Sequence, residues 1–251
     1  MMKAIILAAG YAMRLYPLTE NTPKALLPIG GRVMLDYLMG PIAEIGAIDE
    51  AVIVSNHRFA GQFAAWAEVA AARYPHLKLT VLDDGTTCNE NRLGAVGDIE
   101  FAIRKMSIDD DVLVAASDNF FTFDLNDFVN DFRAHGQNLL LAQPLGSIEE
   151  LRRFAVAELD ADRRVLSLVE KPEQPATDLG IFALYLYRRD VLPLFGEYLA
   201  EGNNPDSPGR FPEWLYTRRE VRAYIFEGEC VDIGTHESYR EICARYSTNE
   251  N

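Results

Sequence analysis

Three cations, set among small residues and carboxylates, are the side chains best placed to do chemistry. Leu7-Ala8-Ala9-Gly10 runs into Arg14 and then Lys24, and the third cation, Lys171, sits in Glu170-Lys171-Pro172. Small residues let backbone N–H groups approach phosphate oxygens with no side chain in the way. An arginine offers such oxygens a planar fork of donors, and a lysine a mobile point charge. Arg14 and Lys24 beside a small-residue turn therefore make a cradle for a polyphosphate. The stretch lacks both the G-x-x-x-x-G-K-[ST] and the G-x-G-x-x-G patterns. Against those templates alone it reads equally as a structural turn.

The carboxylates follow the same logic. Asp118 ends the apolar run in "VLVAASDNFF", where it either points into a ligand crevice or serves as a capping or turn residue. Glu170 and Lys171 close "VLSLVEKP", which places an acceptor and a cation on opposite sides of one strand; a surface ion pair beside a turn proline is the alternative. In "TTCNENRLGAVGD" the Asn89 amide can both donate and accept, and Arg92 and Gly94 follow it. A polar loop before a helix accounts for Asn89 as well.

These groups need elements to hold them. Short apolar runs predict strands at Lys3–Ala8, Ala51–Ser55, Leu79–Leu82, Asp111–Ser117 and Leu139–Ala142. Helical patterns fall at Gly61–Tyr74, Gly94–Met106 and Phe128–His135. Apolar strands without alternation, separated by helices, are what a parallel sheet covered on both faces requires. In such sheets ligands bind outside the carboxyl ends of the strands, where Gly10 and Asp118 would lie. The second half is less regular. "FAVAEL", "VLSLVEK", "ALYLYRR" and "VRAYIF" read as strands in quick succession, so antiparallel additions are expected. Residues 202–209 read as a loop, "FPEWLYTR" as a short helix, and Thr235 as the cap of a last helix. The expected fold is α/β: a Rossmann-like open, mostly parallel sheet with helices on both faces and a few antiparallel strands in the second half.

Composition narrows the partners. With 24 Lys and Arg against 38 Asp and Glu, the net charge is −14, and no basic run is present. Nucleic acid is excluded on that ground, because phosphate backbones demand a positive surface. No stretch is long and apolar enough to span a bilayer, so no membrane partner is expected. The apolar part of "MMKAIILAAG" is too short for a signal peptide and reads as a buried strand. Three cysteines without metal spacing argue against a disulfide framework and lead us to expect a reducing, cytoplasmic setting. An anionic ligand must be met by local cations or a metal.

The N-terminal segment resembles that of the sugar-1-phosphate nucleotidyltransferase family, approximately L-A-A-G-x-G-T-R-L-x-P-L-T-x-x-x-P-K. Leu7–Gly10, Arg14-Leu15, Pro17-Leu18-Thr19 and Pro23-Lys24 match it, while Ala12 replaces a glycine and Met13 a threonine or serine. The G-D-N segment is matched by Asp118-Asn119 with Ser117 in place of glycine, E-K-P by Glu170–Pro172, and W-x-D-[IV]-G-T by "CVDIGT". Phe154-Ala155 stands where Tyr-Gly is common, and Ala183 where glycine opens G-[IL]-Y-x-Y.

The resemblance implies condensation of a nucleoside triphosphate with a sugar 1-phosphate, giving a nucleoside diphosphate sugar and pyrophosphate by Mg²⁺-dependent in-line attack at the α-phosphate. It implies a catalytic set of Arg14, Lys24, Asp118 and Lys171, with Asp118 and Asp232 on Mg²⁺. Leu7, Ala8, Ala9, Gly10, Asn89 and Gly94 would join Arg14, Lys24 and Asp118 around the nucleotide; Asn119, Ala155, Glu170, Lys171 and Ile181 would hold the sugar phosphate. A single domain over 1–251 is expected, with a nucleotide half of about 1–135 and a sugar-phosphate half of about 136–246. The chain ends soon after the last helix, from which we expect no second domain. The oligomeric state is open, a homo-oligomer included. Two rivals share these residues: a cytidylyltransferase acting on a non-sugar phosphate or phosphonate such as phosphocholine, favoured by Phe154-Ala155 and Ala183, and a non-catalytic nucleotide-sugar-sensing subunit, disfavoured by the paired aspartates.

Overall fold

The computed structural model describes residues 1–247, with the backbone alone at Asp232 and Ser247. Four strands form its parallel core: β1 (Met2–Leu7), β2 (Ile48–Ser55), β3 (Lys78–Asp83) and β4 (Asp111–Ala116). β1 lies between β2 and β4, and β3 flanks β2, all in parallel register. Ala4, Ile5 and Ile6 are fully buried, as a strand covered on both faces requires.

A short strand β5 (Asn119–Phe121) follows β4, and the second half supplies β6 (Asn138–Pro144), β7 (Ala155–Leu159), β8 (Val165–Glu170), β9 (Leu179–Tyr187) and β10 (Val221–Ile225). β9 runs antiparallel to β4 through Leu184–Tyr187 and to β7 through Gly180 and Ile181, with β6 on its other edge. The main sheet has nine strands among the described residues, ordered β8-β7-β9-β4-β1-β2-β3, with β6 branching from β9 and β10 pairing parallel with β6. The expected mostly parallel sheet with antiparallel additions is what the chain forms. β11 (Cys230–Asp232) pairs antiparallel with β5 in a separate small sheet.

Helices cover both faces. On one side α1 (Met34–Ala43), α2 (Ala60–Ala70) and α4 (Leu125–His135) bury Leu35, Phe63 and Phe128. On the other, α3 (Ala95–Met106), α5 (Pro193–Ala200) and α6 (Arg210–Leu215) bury Val96, Phe195 and Phe211. The last helix, α7 (His236–Ser247), packs Ile242 with Phe120 and Ile29 in a third cluster. Thr235 caps it, its Oγ1 accepting the Ser238 N–H at 3.2 Å. The sequence gives no signal for α1, whose Gly40-Pro41 dipeptide signals a break. Burial of Met34, Leu35, Leu38, Met39 and Ile42 on the sheet outweighs it. No helix among the described residues is long and apolar enough to cross a membrane.

Candidate active site

The carboxyl ends of β1 and β4 open into a cleft of about 600 Å³. Leu7, Ala8, Ala9, Gly10, Arg14, Lys24, Asn89, Gly94, Asp118 and Lys171 all line it. A second concavity of about 500 Å³, lined by Arg163, Arg164 and Arg222 near the end of α4, contains none of the candidates read from the sequence.

The turn after β1 is built from backbone contacts. Ala8 N–H donates to Val54 O at 2.9 Å, and the buried Asn56 amide donates to Ala9 O at 2.9 Å while its Oδ1 accepts the Phe59 N–H. A Cβ on Gly10 would meet no protein atom within 4 Å, so the space beside it belongs to the cleft. Ala12 lies at φ +46, in the left-handed region where alanine is strained, rather than at the negative φ an alanine prefers. Thr19, 1% exposed, holds that turn by donating to Ala12 O at 2.8 Å. Its value in the motif is structural. Arg14 is exposed and makes no ion pair among the described residues.

Lys24 crosses the cleft floor to Asp118, Nζ to Oδ2 at 2.5 Å. Asp118 is set by the β1–β4 pairing, which continues as Ser117 N–H to Leu7 O at 3.1 Å. The side chain of Asp232 lies outside the described residues. Its backbone does not: Asp232 pairs with Asn119 across β5 and β11, and Ile233 N–H donates to Asp118 O at 3.3 Å. Two positions far apart in sequence thereby become neighbours. Among the described residues no three His, Cys, Asp or Glu side chains cluster to hold a metal. The donor chemistry still fits a hard divalent cation, which takes carboxylate oxygen plus substrate phosphates and water.

Glu170 and Lys171 do not alternate across a strand. Lys171 adopts φ +50, which ends β8 and turns its amine back to 3.5 Å from Glu170 Oε1. Lys171 Nζ also donates to Ser207 Oγ at 3.0 Å. Glu170 is 6% exposed; burial raises its carboxyl above the usual range, against the pull of Lys171, Ser207 and Arg210. Glu170, Ala155, Ile181 and Asn119 are all buried and do not line the cleft. Gly209 covers the first two: a Cβ there would fall 2.1 Å from Glu170 Oε2 and 3.3 Å from Ala155 Cβ. Ile181 packs in the core, and Asn119 donates to Ala183 O at 3.4 Å.

Tyr11, Asp98 and the loop residues Asp206, Ser207 and Pro208 are cleft residues that the sequence reading did not single out. Tyr11 and Asp98 line the same cleft as Gly94, and each has a buried oxygen with no hydrogen-bond partner among the described residues. Burial and then the adjacent Asp84 carboxylate push the Asp98 carboxyl up to about 8, so it is largely protonated at neutral pH. Neither had a signal in the sequence, since a lone Tyr and a lone helical Asp are everyday residues. Arg92 is held by Asp206, from the stretch read only as a loop.

The Nucleotidyl transferase family matches residues 3–249. The chain is 29% identical, over 96% of its length, to a Sulfolobus acidocaldarius protein assigned as a mannose-1-phosphate guanyltransferase. It is 30% identical over the same share to a glucose-1-phosphate thymidylyltransferase of Streptomyces griseus. It spans 62% and 65% of the lengths of those two relatives. A solved UDP-glucose pyrophosphorylase complexed with UDP-glucose shares the fold, with a TM-score of 0.82 at 18% identity and both chains fully covered. With the family matched over nearly all of its residues, the chain belongs to the Nucleotidyl transferase family.

Proposed function

We propose that the protein transfers a nucleotidyl group from a nucleoside triphosphate to a sugar 1-phosphate, releasing pyrophosphate. The observation that carries this is the convergence of Arg14, Lys24 and Lys171 with Asp118 on one cleft, at the carboxyl edge of the sheet. A phosphate monoester is already anionic near pH 7, so its oxygen can attack the α-phosphorus without a general base. What the site must supply is alignment and neutralisation of converging charge. Arg14, exposed and without an ion pair among the described residues, receives the leaving pyrophosphate. Lys24 moves from Asp118 to the α and β phosphates, and Lys171 holds the attacking phosphate.

Asp118 and Asp232 are the residues that would hold Mg²⁺, which when bound supplies positive charge at the reacting phosphates. Releasing Lys24 from Asp118 leaves that carboxylate for the cation. Asp118→Ala is expected to lower kcat at least about 100-fold, the scale of a lost transition-state electrostatic contact; steady-state kinetics at saturating Mg²⁺ checks it. The reaction itself is tested by incubating the protein with each common nucleoside triphosphate and a panel of sugar 1-phosphates plus phosphocholine, and weighing the products. A nucleoside diphosphate sugar supports the reading. A product from phosphocholine alone would replace the sugar, and binding without turnover would leave a sensor.

A further inference from the structure

One segment outside the family motifs touches both sides of the cleft. Residues 205–209 leave the second half of the chain and cross to the start of α3. Pro205 O accepts the Val96 N–H at 2.9 Å. Asp206 grips Arg92 with two bonds, Oδ1 to Nε and Oδ2 to Nη2, both 2.7 Å. Arg92 in turn donates to Asn89 O at 2.8 Å, so the pair also steadies the turn that carries Asn89. The next residue, Ser207, accepts from Lys171 Nζ. Gly209 then lies against Glu170.

The fit is tight where the segment meets α3. A Cβ on Gly94 would fall 2.6 Å from Pro205 O, and Gly94 holds φ +79. Its missing side chain therefore serves the approach of this segment as well as the cleft. Near Lys171 the arrangement is equally restrictive. An ammonium has three donors. Ser207 takes one and Glu170 lies beside it at 3.5 Å, which sets the direction of what remains.

The Arg92–Asp206 pair contributes little to stability as such. Its side chains are 38% and 47% exposed, and exposed pairs are worth at most about 1 kcal/mol. Two parallel charge-assisted bonds do, however, fix geometry well. Asp206 stands one residue from the partner of Lys171, and its own partner lines the nucleotide side.

We propose that Asp206 is a positioning residue that links the two substrate subsites, so that triphosphate binding beside Arg92 and Gly94 favours acceptor-phosphate binding at Lys171, and the reverse. The nature of the two ligands rests on the nucleotidyl-transfer reading. The link is reciprocal by thermodynamic necessity. Each ligand orders the same short segment, and the second to bind finds it already ordered.

Two measurements test this. In kinetics with the best substrate pair, the acceptor KM of the wild type should fall at least about fivefold from low to saturating triphosphate, the lower end of typical site coupling. In Asp206→Ala and in Asp206→Asn the fall should shrink below about twofold; Asp206→Asn with Arg92→Gln should lose no more than either alone, as expected for one broken unit. Coupling that survives in both Asp206 variants would overturn the proposal. The second measurement needs no turnover. In the unliganded protein, Asp206→Asn should speed amide hydrogen exchange both at Val96 and at Lys171, whose N–H donates to Phe154 O at 3.1 Å, while β1 is unchanged. Unchanged exchange at Val96 and Lys171 would contradict the link. A wild type inactive on every pair would count against the reaction, and the exchange comparison would then decide the link by itself.

Discussion

At the scale of residues, the site depends on groups held in states they would not choose alone. Ala12 is one, at φ +46 in a turn that Thr19 pins. Ala12→Gly should relieve about 1 kcal/mol of left-handed strain and raise Tm by a few degrees, read by thermal unfolding. Asp98 is another, its carboxyl raised to about 8 by burial and by Asp84. The unfolded chain releases this proton near pH 4 and the folded chain only near pH 8, so the native state binds more protons in between. Stability from this group therefore falls as pH rises through that window. Asp98→Asn keeps a neutral donor next to Asp84 and should flatten the fall. Denaturant unfolding at pH 5 and pH 8 should show the variant's gain over wild type growing with pH; a gain that shrinks would be contrary to a raised carboxyl. Neither state is legible from residue identity. The φ of Ala12 is set by the turn around it, and the proton on Asp98 by burial in the fold and then by a carboxylate that a different loop brings in.

At the scale of elements, what the sequence revealed was the local part of the design. β1, β4 and the small-residue turn are continuous in the chain, and each carries its own apolar or small-residue pattern. Lys171 shows where pattern fails: alternation placed it opposite Glu170, and a positive φ at the strand end brought the two together. The loop 202–209 shows the same limit, because composition marks a loop without saying what it touches. Asn56 is a third case, a buried amide at the end of β2 that secures both Ala9 O and the Phe59 N–H. Asn56→Ala would leave a buried carbonyl and a buried N–H unpartnered and should cost about 1–3 kcal/mol. Chemical denaturation measures the loss, and the triphosphate KM should rise with it because the turn after β1 loses its anchor.

For the whole molecule, the question is how a chain of net charge −14 would accept the two anionic substrates of the proposed reaction. The answer lies in placement. Arg14 and Lys24 reach the cleft from the segment after β1 and Lys171 from the end of β8, and the sheet that carries them is shared: β9, from the second half, runs beside β4, from the first. That insertion was not readable from the sequence, since antiparallel neighbours far apart in the chain leave no periodic trace; nor was the backbone pairing that puts Asp232 next to the Asp118 turn. The resemblance in the motifs pointed to the residues, and the topology explains how they meet. Pyrophosphate release, followed for wild type and Lys171→Ala while each substrate is varied, tests two-substrate transfer most directly. Release should require both triphosphate and sugar 1-phosphate, and Lys171→Ala should raise KM for the sugar phosphate more than for the triphosphate. Release from triphosphate alone at the same rate, or a variant that weakens only the triphosphate, would contradict it.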